Sequence, residues 1–241
     1  MKEIAENVYQ IPLFPRNSIN AYIIDGYLID AGTRGSGEKL LKAIDKYGRH
    51  KIKAHILTHA HADHQGASAF ICETLQISLW CGEKDADAME NGRIMAEEYY
   101  AGDPIVGLGI KLWAGPKHKV SRTLKEGDWA GEFQILETPG HSPGHITLWR
   151  EKDRTLIAGD VLVNMNMLTT ATKLGEPPQI YTLDTEQNRN SILKLAQLQP
   201  NLVCVGHGAP LYQTEKLANL ATSIKNDLAR NKMAATVPNK I

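Results

Sequence analysis

The sequence predicts an α/β fold, and three observations carry the prediction. Short apolar runs of strand length alternate with helical patterns over the first third of the chain: strand, helix, strand, helix, strand. The same order of strands followed by a helix returns later, without a visible sequence repeat. In both halves, His and Asp residues cluster where apolar strands end, and such polar groups need partners if they are buried.

Taken in order, Val8 to Leu13, Ile19 to Asp25 and Tyr27 to Ile29 read as strands, with Asp25-Gly26 as a hairpin turn. Asp30 closes that run, either as a turn former or as a carboxylate that orients a histidine. Ser36 is read as the cap of a helix to Tyr47, because Leu40, Ala43, Ile44 and Tyr47 share one face and Gly48 can stop it. A strand over 53–58 leads into Ile56-Leu-Thr-His-Ala-His-Ala-Asp-His-Gln-Gly66, and the residues from Gly66 to Gln76 read as a helix. Ile77 to Cys81 is a further buried strand. Asp85 to Tyr100 has helical composition, with Met89, Ile94, Met95, Tyr99 and Tyr100 apolar, before breaks at Gly102-Asp103-Pro104 and Gly107 to Gly109.

Val120 to Leu124, Gly131 to Leu136, His145 to Arg150 and Thr155 to Ala158 are strand candidates. Residues 164–183 show no period, so they read as a long loop beside Asp160 that borders a cleft, with Met165, Met167 and Tyr181 as apolar contacts. Asp184 and Gln187 suit a helix start, and Pro200 stops that helix. Leu202 to Val205 is a buried strand ending at Gly206-His-Gly208. Thr214 precedes a last amphipathic helix, and residues 232–241 read as frayed.

Length and charge bound the function. A chain of 241 residues can bury a large core and is read as one domain over 1–241. Its 27 basic and 27 acidic residues balance, and no long single-sign run argues for nucleic acid or an anionic membrane. The N-terminus lacks an apolar signal core, and no run reaches membrane-spanning length, which predicts a soluble, cytoplasmic protein. Cys72, Cys81 and Cys204 lie apart in apolar runs and read as reduced core residues.

The densest chemistry is His59, His61, Asp63 and His64, a His-x-His-x-Asp-His pattern. On extended backbone His59 and His61 point to one side. Asp63 and His64 are adjacent, so they diverge and reach toward a second ion. This pattern is similar to the signature of the metallo-β-lactamase superfamily. Leu28-Ile-Asp-Ala-Gly32, Thr138-Pro-Gly-His-Ser-Pro-Gly-His145, Ala158-Gly-Asp160 and Gly206-His-Gly208 follow in that family's order, so the resemblance spans about residues 8–210.

The resemblance implies a four-layer αββα sandwich with a site at one edge. It implies that His59, His61 and His141 bind one metal, that Asp63, His64 and His207 bind a second, and that Asp160 bridges them. Nitrogen and oxygen donors without thiolate suit Zn(II), and also Mn or Fe. The implied activity is a dinuclear hydrolase that activates hydroxide against an ester, thioester or lactone carbonyl of a small molecule, as in glyoxalase II-like and lactonase-like branches. In that reading Asp63 also orients the hydroxide and moves its proton. The alternatives are a mononuclear-iron sulfur dioxygenase of the same superfamily and a β-lactam hydrolase. Asp160 stands where some β-lactamases place a cysteine ligand, and Val163 where well-known lactonases carry tyrosine. His50, His55 and His118 are read as non-ligands, and His145 as a hydrogen-bonding support for the site. The residues that bind substrate, the native metal and the oligomeric state are not readable.

Overall fold

In the computed structural model, short apolar runs pair antiparallel from the N-terminus. The structure describes residues 1–92, 108, 111–212 and 214–236. β1 (Lys2–Ala5), β2 (Val8–Pro12), β3 (Asn20–Ile24) and β4 (Tyr27–Ile29) form a meander. The turn between β3 and β4 has φ 48° at Asp25 and 85° at Gly26, the left-handed pair that a tight hairpin requires. β5 (Ala54–Leu57), β6 (Leu79–Gly82) and β7 (Val120–Leu124) then add in parallel, completing a seven-stranded sheet in the order β1 to β7.

Parallel additions need crossovers, and helices supply them. α1 (Gly37–Tyr47) lies between β4 and β5. α2 (Ala62–Gln65) and α3 (Ser68–Leu75) follow β5, and α4 (Ala86–Asn91) follows β6. Ser36 holds the N-cap position of α1 as expected, but its side chain makes no cap bond to that helix and instead closes a capping box with Thr33 on the preceding 3-10 turn. The expected continuous helix from Gly66 to Gln76 is corrected. A helical turn already begins at Ala62, inside the His-rich motif, and breaks at Gly66-Ala67 before α3. Of the helix predicted over Asp85 to Tyr100, Ala86–Asn91 is helical, while Ile94, Met95, Tyr99, Tyr100 and the break at 102–104 lie outside the described residues.

β8 (Trp129–Ala130), β9 (Phe133–Glu137), β10 (Ile146–Arg150) and β11 (Thr155–Gly159) build the second sheet. β12 (Val163–Asn164) pairs with β13 (Leu174–Gly175), so the predicted structureless loop contains a two-stranded hairpin. α5 (Thr185–Gln197) follows, its Asp184 side chain accepting from the Gln187 N–H at 2.9 Å. β14 (Leu202–Val205) and α6 (Glu215–Thr236) complete the chain. The second sheet has the order β14-β11-β10-β9-β8, with β14 parallel to β11 and the other pairs antiparallel. Besides the hairpin strands β12 and β13, β1 and β8 were not foreseen. β1 is largely exposed and carries charge, and β8 is two residues long, so neither shows the apolar alternation that marks a strand.

Alternation along the strands sorts side chains into layers. Val8, Tyr22, Ile24, Ile29 and Ile56 meet Phe133, Ile135, Leu148, Ile157 and Cys204 between the sheets. The intervening residues Ile11, Ala21, Ile23 and Leu28 pack outward against Leu40, Ile44 and Ile71 of α1 and α3. Leu156, Ala158, Val203 and Val205 pack outward from the second sheet against Ile192, Leu195, Leu217 and Ile224 of α5 and α6. The result is the predicted αββα sandwich. Cys72, Cys81 and Cys204 are all buried as free thiols. Among the described residues no helix is long and apolar enough to cross a membrane.

Strand direction places the site. β9, β11 and β14 run the same way, so their C-terminal ends share one edge. The Ile146 N–H donates to the Thr58 carbonyl at 2.9 Å, bringing the end of β5 to that edge. Buried Asn20 secures the same corner, its Nδ2 lying 3.1 Å from the Val205 carbonyl, 3.2 Å from that of Gly206 and 2.8 Å from that of Gly208. The buried cation Arg150 is at the other end of β10, 4.6 Å over the Phe133 ring and hydrogen-bonded to Asp153. It belongs to the packing of the far edge.

Candidate metal centre

Each polar residue that the sequence singles out at a strand end arrives at this edge. His59, His61, Asp63 and His64 follow β5, His141 follows β9, Asp160 follows β11 and His207 follows β14. Donor atoms of His59, His61 and His141 lie within 4.8 Å of one another, as do those of Asp63, His64 and His207. His59, His64 and Asp160 form a third such set that overlaps both. Asp160 Oδ2 is the common point, 2.9 Å from His207 Nε2, 3.4 Å from His64 Nε2 and 3.7 Å from His141 Nε2.

One sequence argument is corrected here. Asp63 and His64 do not diverge but meet in one donor set. They stand on the helical backbone of α2, where successive side chains do not point to opposite sides as on a strand. Close approach at the other end depends on Gly206, where an added Cβ would lie 2.0 Å from Asp160 Oδ1 and 2.6 Å from His64 Cε1.

Outer hydrogen bonds fix the imidazoles of His59, His64, His141 and His207. His59 Nδ1 is 3.0 Å from Thr58 Oγ1, and that hydroxyl donates to Asp30 Oδ2 at 2.9 Å. Asp30 Oδ2 also lies 2.9 Å from His64 Nδ1, so Asp30 orients a histidine, while its φ of 57° makes it the turn residue as well. His141 Nδ1 is 3.3 Å from Thr182 Oγ1, and His207 Nδ1 is 2.6 Å from the Ser18 carbonyl. His145 accepts the Asp160 N–H at Nε2, 3.1 Å, with Thr138 Oγ1 at its Nδ1, 2.9 Å. That is the supporting role read from the sequence. His55 is buried between the Leu28 carbonyl and Ser68 Oγ, away from the cluster, and His50 is exposed. His118 is 4.0 Å from Glu73.

The donor atoms left over are informative. His59 Nε2, His64 Nε2, His141 Nε2 and Asp160 Oδ1 are buried and have no hydrogen-bond partner. Orphaned buried polar atoms are rare because each carries a desolvation cost of about 1–3 kcal/mol. Here they converge, and the set is one of imidazole nitrogens and carboxylate oxygens, which suits a divalent cation.

The electrostatics agree. Burial pushes His59 and His141 well below the usual imidazole range, and His61 down to about 4, so these rings are neutral donors at pH 7. Burial also lowers His145, to about 3. For His207 burial acts in the same direction, but Asp160 and Asp63 outweigh it and raise the group to about 10. His64 is raised by Asp160 and Asp30 against burial. Asp160 is held well below the usual carboxylate range by His207 and His64, although burial opposes this. Asp63 is lowered too: burial alone would raise it, and its bond to His207 overcomes that. Protons on His64 and His207 thus balance carboxylates that a cation would balance instead.

Sequence reasoning passed over Asp85. Its buried carboxylate accepts from the Ala60 N–H at 3.0 Å, Ser142 Oγ at 2.7 Å and the Gly144 N–H at 2.7 Å. It thereby ties the segment between His59 and His61 to the segment after His141. Nothing in one sequence separates it from an ordinary helix-start Asp. Thr182 was also passed over, since it lies in the loop without periodicity.

That loop is anchored at both ends to the cluster. The Asn164 N–H donates to the His207 carbonyl at 2.8 Å, and the Leu183 N–H to the His141 carbonyl at 3.3 Å. Met165 is buried beside Gly208, in the wall of a surface pocket, whereas Met167 and Tyr181 are exposed and not part of that wall.

Known proteins share this frame. The probable metallo-hydrolase YflN of Bacillus subtilis is 31% identical over 226 residues, covering 85% of this chain and 81% of that protein. Hydroxyacylglutathione hydrolase GloC of Haemophilus influenzae is 28% identical over 186 residues, covering 76% of this chain and 79% of that protein. The crystal structure of TTHA1623 in a di-iron-bound form superposes with a TM-score of 0.64 at 28% identity, covering 88% of this chain and 98% of that one. The family model for the metallo-β-lactamase superfamily matches residues 15–207, a span that holds all seven converging donors from His59 to His207, and the chain belongs to that superfamily.

Proposed function

We propose that the protein is a hydrolase of small molecules that holds two divalent ions, zinc in the first instance, and cleaves an ester, thioester or lactone carbonyl. In this reading His59, His61 and His141 hold one ion, Asp63, His64 and His207 hold the other, and Asp160 bridges them. The single observation that supports it best is the convergence of unpartnered buried donors around Asp160, with one donor set on each side. TTHA1623, with its two irons, supports a pair of ions, and GloC supports a thioester among the substrates.

When bound, a metal pair of this kind supplies Lewis acidity and brings the pKa of water close to neutrality. The chain's own residues do the rest. Asp63 is the part-exposed member of the cluster, with 20% of its side chain accessible, and its Oδ2 is 3.3 Å from His207 Nε2. Its lowered pKa keeps it ionised, so it accepts a hydrogen bond from a water entering there and orients that water's lone pair toward the carbonyl carbon. The Nδ1 partners of His59, His64, His141 and His207 keep all four Nε2 atoms aimed inward throughout, so the site needs no rearrangement between substrate and transition state.

The test combines metal analysis with a substrate panel. Gently purified protein should carry about two equivalents of metal and hydrolyse at least one of a thioester, a lactone and an aryl ester, with loss of rate in chelator. A metal-replete protein that leaves the whole panel intact sinks the reading. So does one equivalent of iron with oxygen uptake on a persulfide.

A further inference from the structure

Beside the metal centre lies a pocket of about 360 Å³, within the usual range for small-molecule sites. Arg16, Asn17, Asn164, Met165, Thr170 and Gly208 line it, and none of the seven metal-centre residues does. It nevertheless begins one residue from His207, because Gly208 forms its wall. Consecutive Cα atoms are about 3.8 Å apart, so the pocket wall and a metal-centre residue are immediate neighbours along the backbone. The Gly208 N–H donates to the Asn17 carbonyl at 2.7 Å and the Asn164 N–H to the His207 carbonyl at 2.8 Å, so both walls are fastened to the segment that carries His207.

Arg16 is the one charged residue in this lining. Its Nη1 donates to Thr170 Oγ1 at 2.7 Å, which stretches the guanidinium from the loop after β2 to the loop after β12. Among the described residues it forms no ion pair, while the guanidinium has five N–H donors in a planar fork. The backbone is also held unusually: Arg16 and Asn17 both have positive φ, 57° and 58°. Left-handed non-glycine residues are uncommon, and two in succession persist only where the surroundings impose them. The remaining lining is uncharged, with Asn17, Asn164, Thr170 and Thr172 polar and Met165, Ala171 and Ala209 apolar, and it offers no carboxylate to compete for the fork.

We propose that this pocket is an anion subsite, and that the substrates carry a carboxylate remote from the carbonyl that reacts. Arg16 receives that carboxylate, Thr170 braces Arg16, and the Met165 side accommodates the short aliphatic stretch between the two ends. The proposal rests on the hydrolase reading for its second half, since it assigns the reacting carbonyl to the metal centre.

Two measurements on the metal-loaded protein test it. The first needs no turnover: calorimetric binding of α,ω-dicarboxylates from succinate to suberate, each against the monocarboxylate of equal length. One dicarboxylate length should bind about tenfold to a hundredfold tighter than its monocarboxylate, the scale of a hydrogen bond to a charged group. Arg16→Gln should abolish that preference, and Arg16→Lys should restore part of it. The second compares kcat/KM for thioesters bearing a free carboxylate with their methyl esters at that carboxylate. Arg16→Gln should lower the first about tenfold to a hundredfold and so remove most of the difference between the two. An equal dicarboxylate preference in wild type and Arg16→Gln overturns the anion subsite, whatever the hydrolytic rates. A preference that depends on Arg16 in a protein that leaves thioesters, lactones and aryl esters all intact leaves the subsite standing and overturns the hydrolase reading.

Discussion

Replacing Asp85 tests whether the metal centre is held together from outside its donors. The carboxylate is fully buried and takes three hydrogen bonds, Oδ1 from the Gly144 N–H and Oδ2 from the Ala60 N–H and Ser142 Oγ. Asp85→Asn can keep its oxygen at the Oδ2 position and retain two of these, but its amide then faces the Gly144 N–H, donor against donor. One unsatisfied buried donor costs about 1–3 kcal/mol. The lost charge does not add to this. Burial raises the Asp85 pKa against the lowering by Ser142, Ala60 and Gly144, so folding favours the protonated form. Its contribution to stability is therefore complete below the unfolded pKa and declines as pH rises through the folded one. A neutral amide at pH 7 avoids that decline. Asp85→Asn should lower the Tm by a few degrees, at about 2–4 °C per kcal/mol for a chain of this size. Asp85→Ala leaves all three donors bare and should cost more. Because Ala60 separates His59 from His61 and Gly144 follows His141, both variants should also weaken metal binding, by about 10–100-fold. Chelator competition and denaturant unfolding on the same preparations measure the two effects. Variants that lose stability but keep the wild-type metal affinity would show that Asp85 supports the fold alone.

Asp160→Ala should remove more activity than His145→Ala, because Asp160 Oδ2 faces donors of both sets whereas His145 belongs to neither and supports the Asp160 N–H. Equal loss of metal in both variants would overturn this ordering. Stripping the metals with chelator should destabilise the protein, since the freed donors keep their buried, unpartnered positions; an unchanged unfolding midpoint would contradict it. Native protein should resist thiol reagents. Burial pushes Cys72 up to about 12 and also raises Cys81 and Cys204, so three equivalents should react only after unfolding. Deleting the tip of the β12–β13 hairpin should change kcat/KM unevenly across lactones and thioesters with metal content intact; uniform rates would assign the loop no part in selection.

Most strands were legible because apolar runs such as Asn20–Ile24, buried on both faces, are a local signal, while their stacking into four layers was read from the family resemblance. The gathering of His59, His141, Asp160 and His207 was legible through the family resemblance, which their motifs carry in order along the chain. Supports that act across long separations were not legible. Asp85 reaches Ser142 and Gly144, Thr182 reaches His141, and Asn20 reaches Val205, Gly206 and Gly208, each through a single polar side chain that in sequence resembles any cap or turn residue. Local period also misjudged the motif itself. Ala62 to Gln65 is helical, and that is why Asp63 and His64 share one donor set.

The division of donors between the two sheets bears on how the protein acquires metal. The β5 side contributes His59, His61, Asp63 and His64, and the second sheet contributes His141, Asp160 and His207. A chain emerging in order exposes the first four early, when nothing opposes them. Asp160, whose Oδ2 faces donors of both sets, emerges later, and His207 later still, since β14 follows α5 in the chain. High affinity therefore appears at the end of assembly, and an ion taken up too soon meets an incomplete and weak chelate from which it can still exchange.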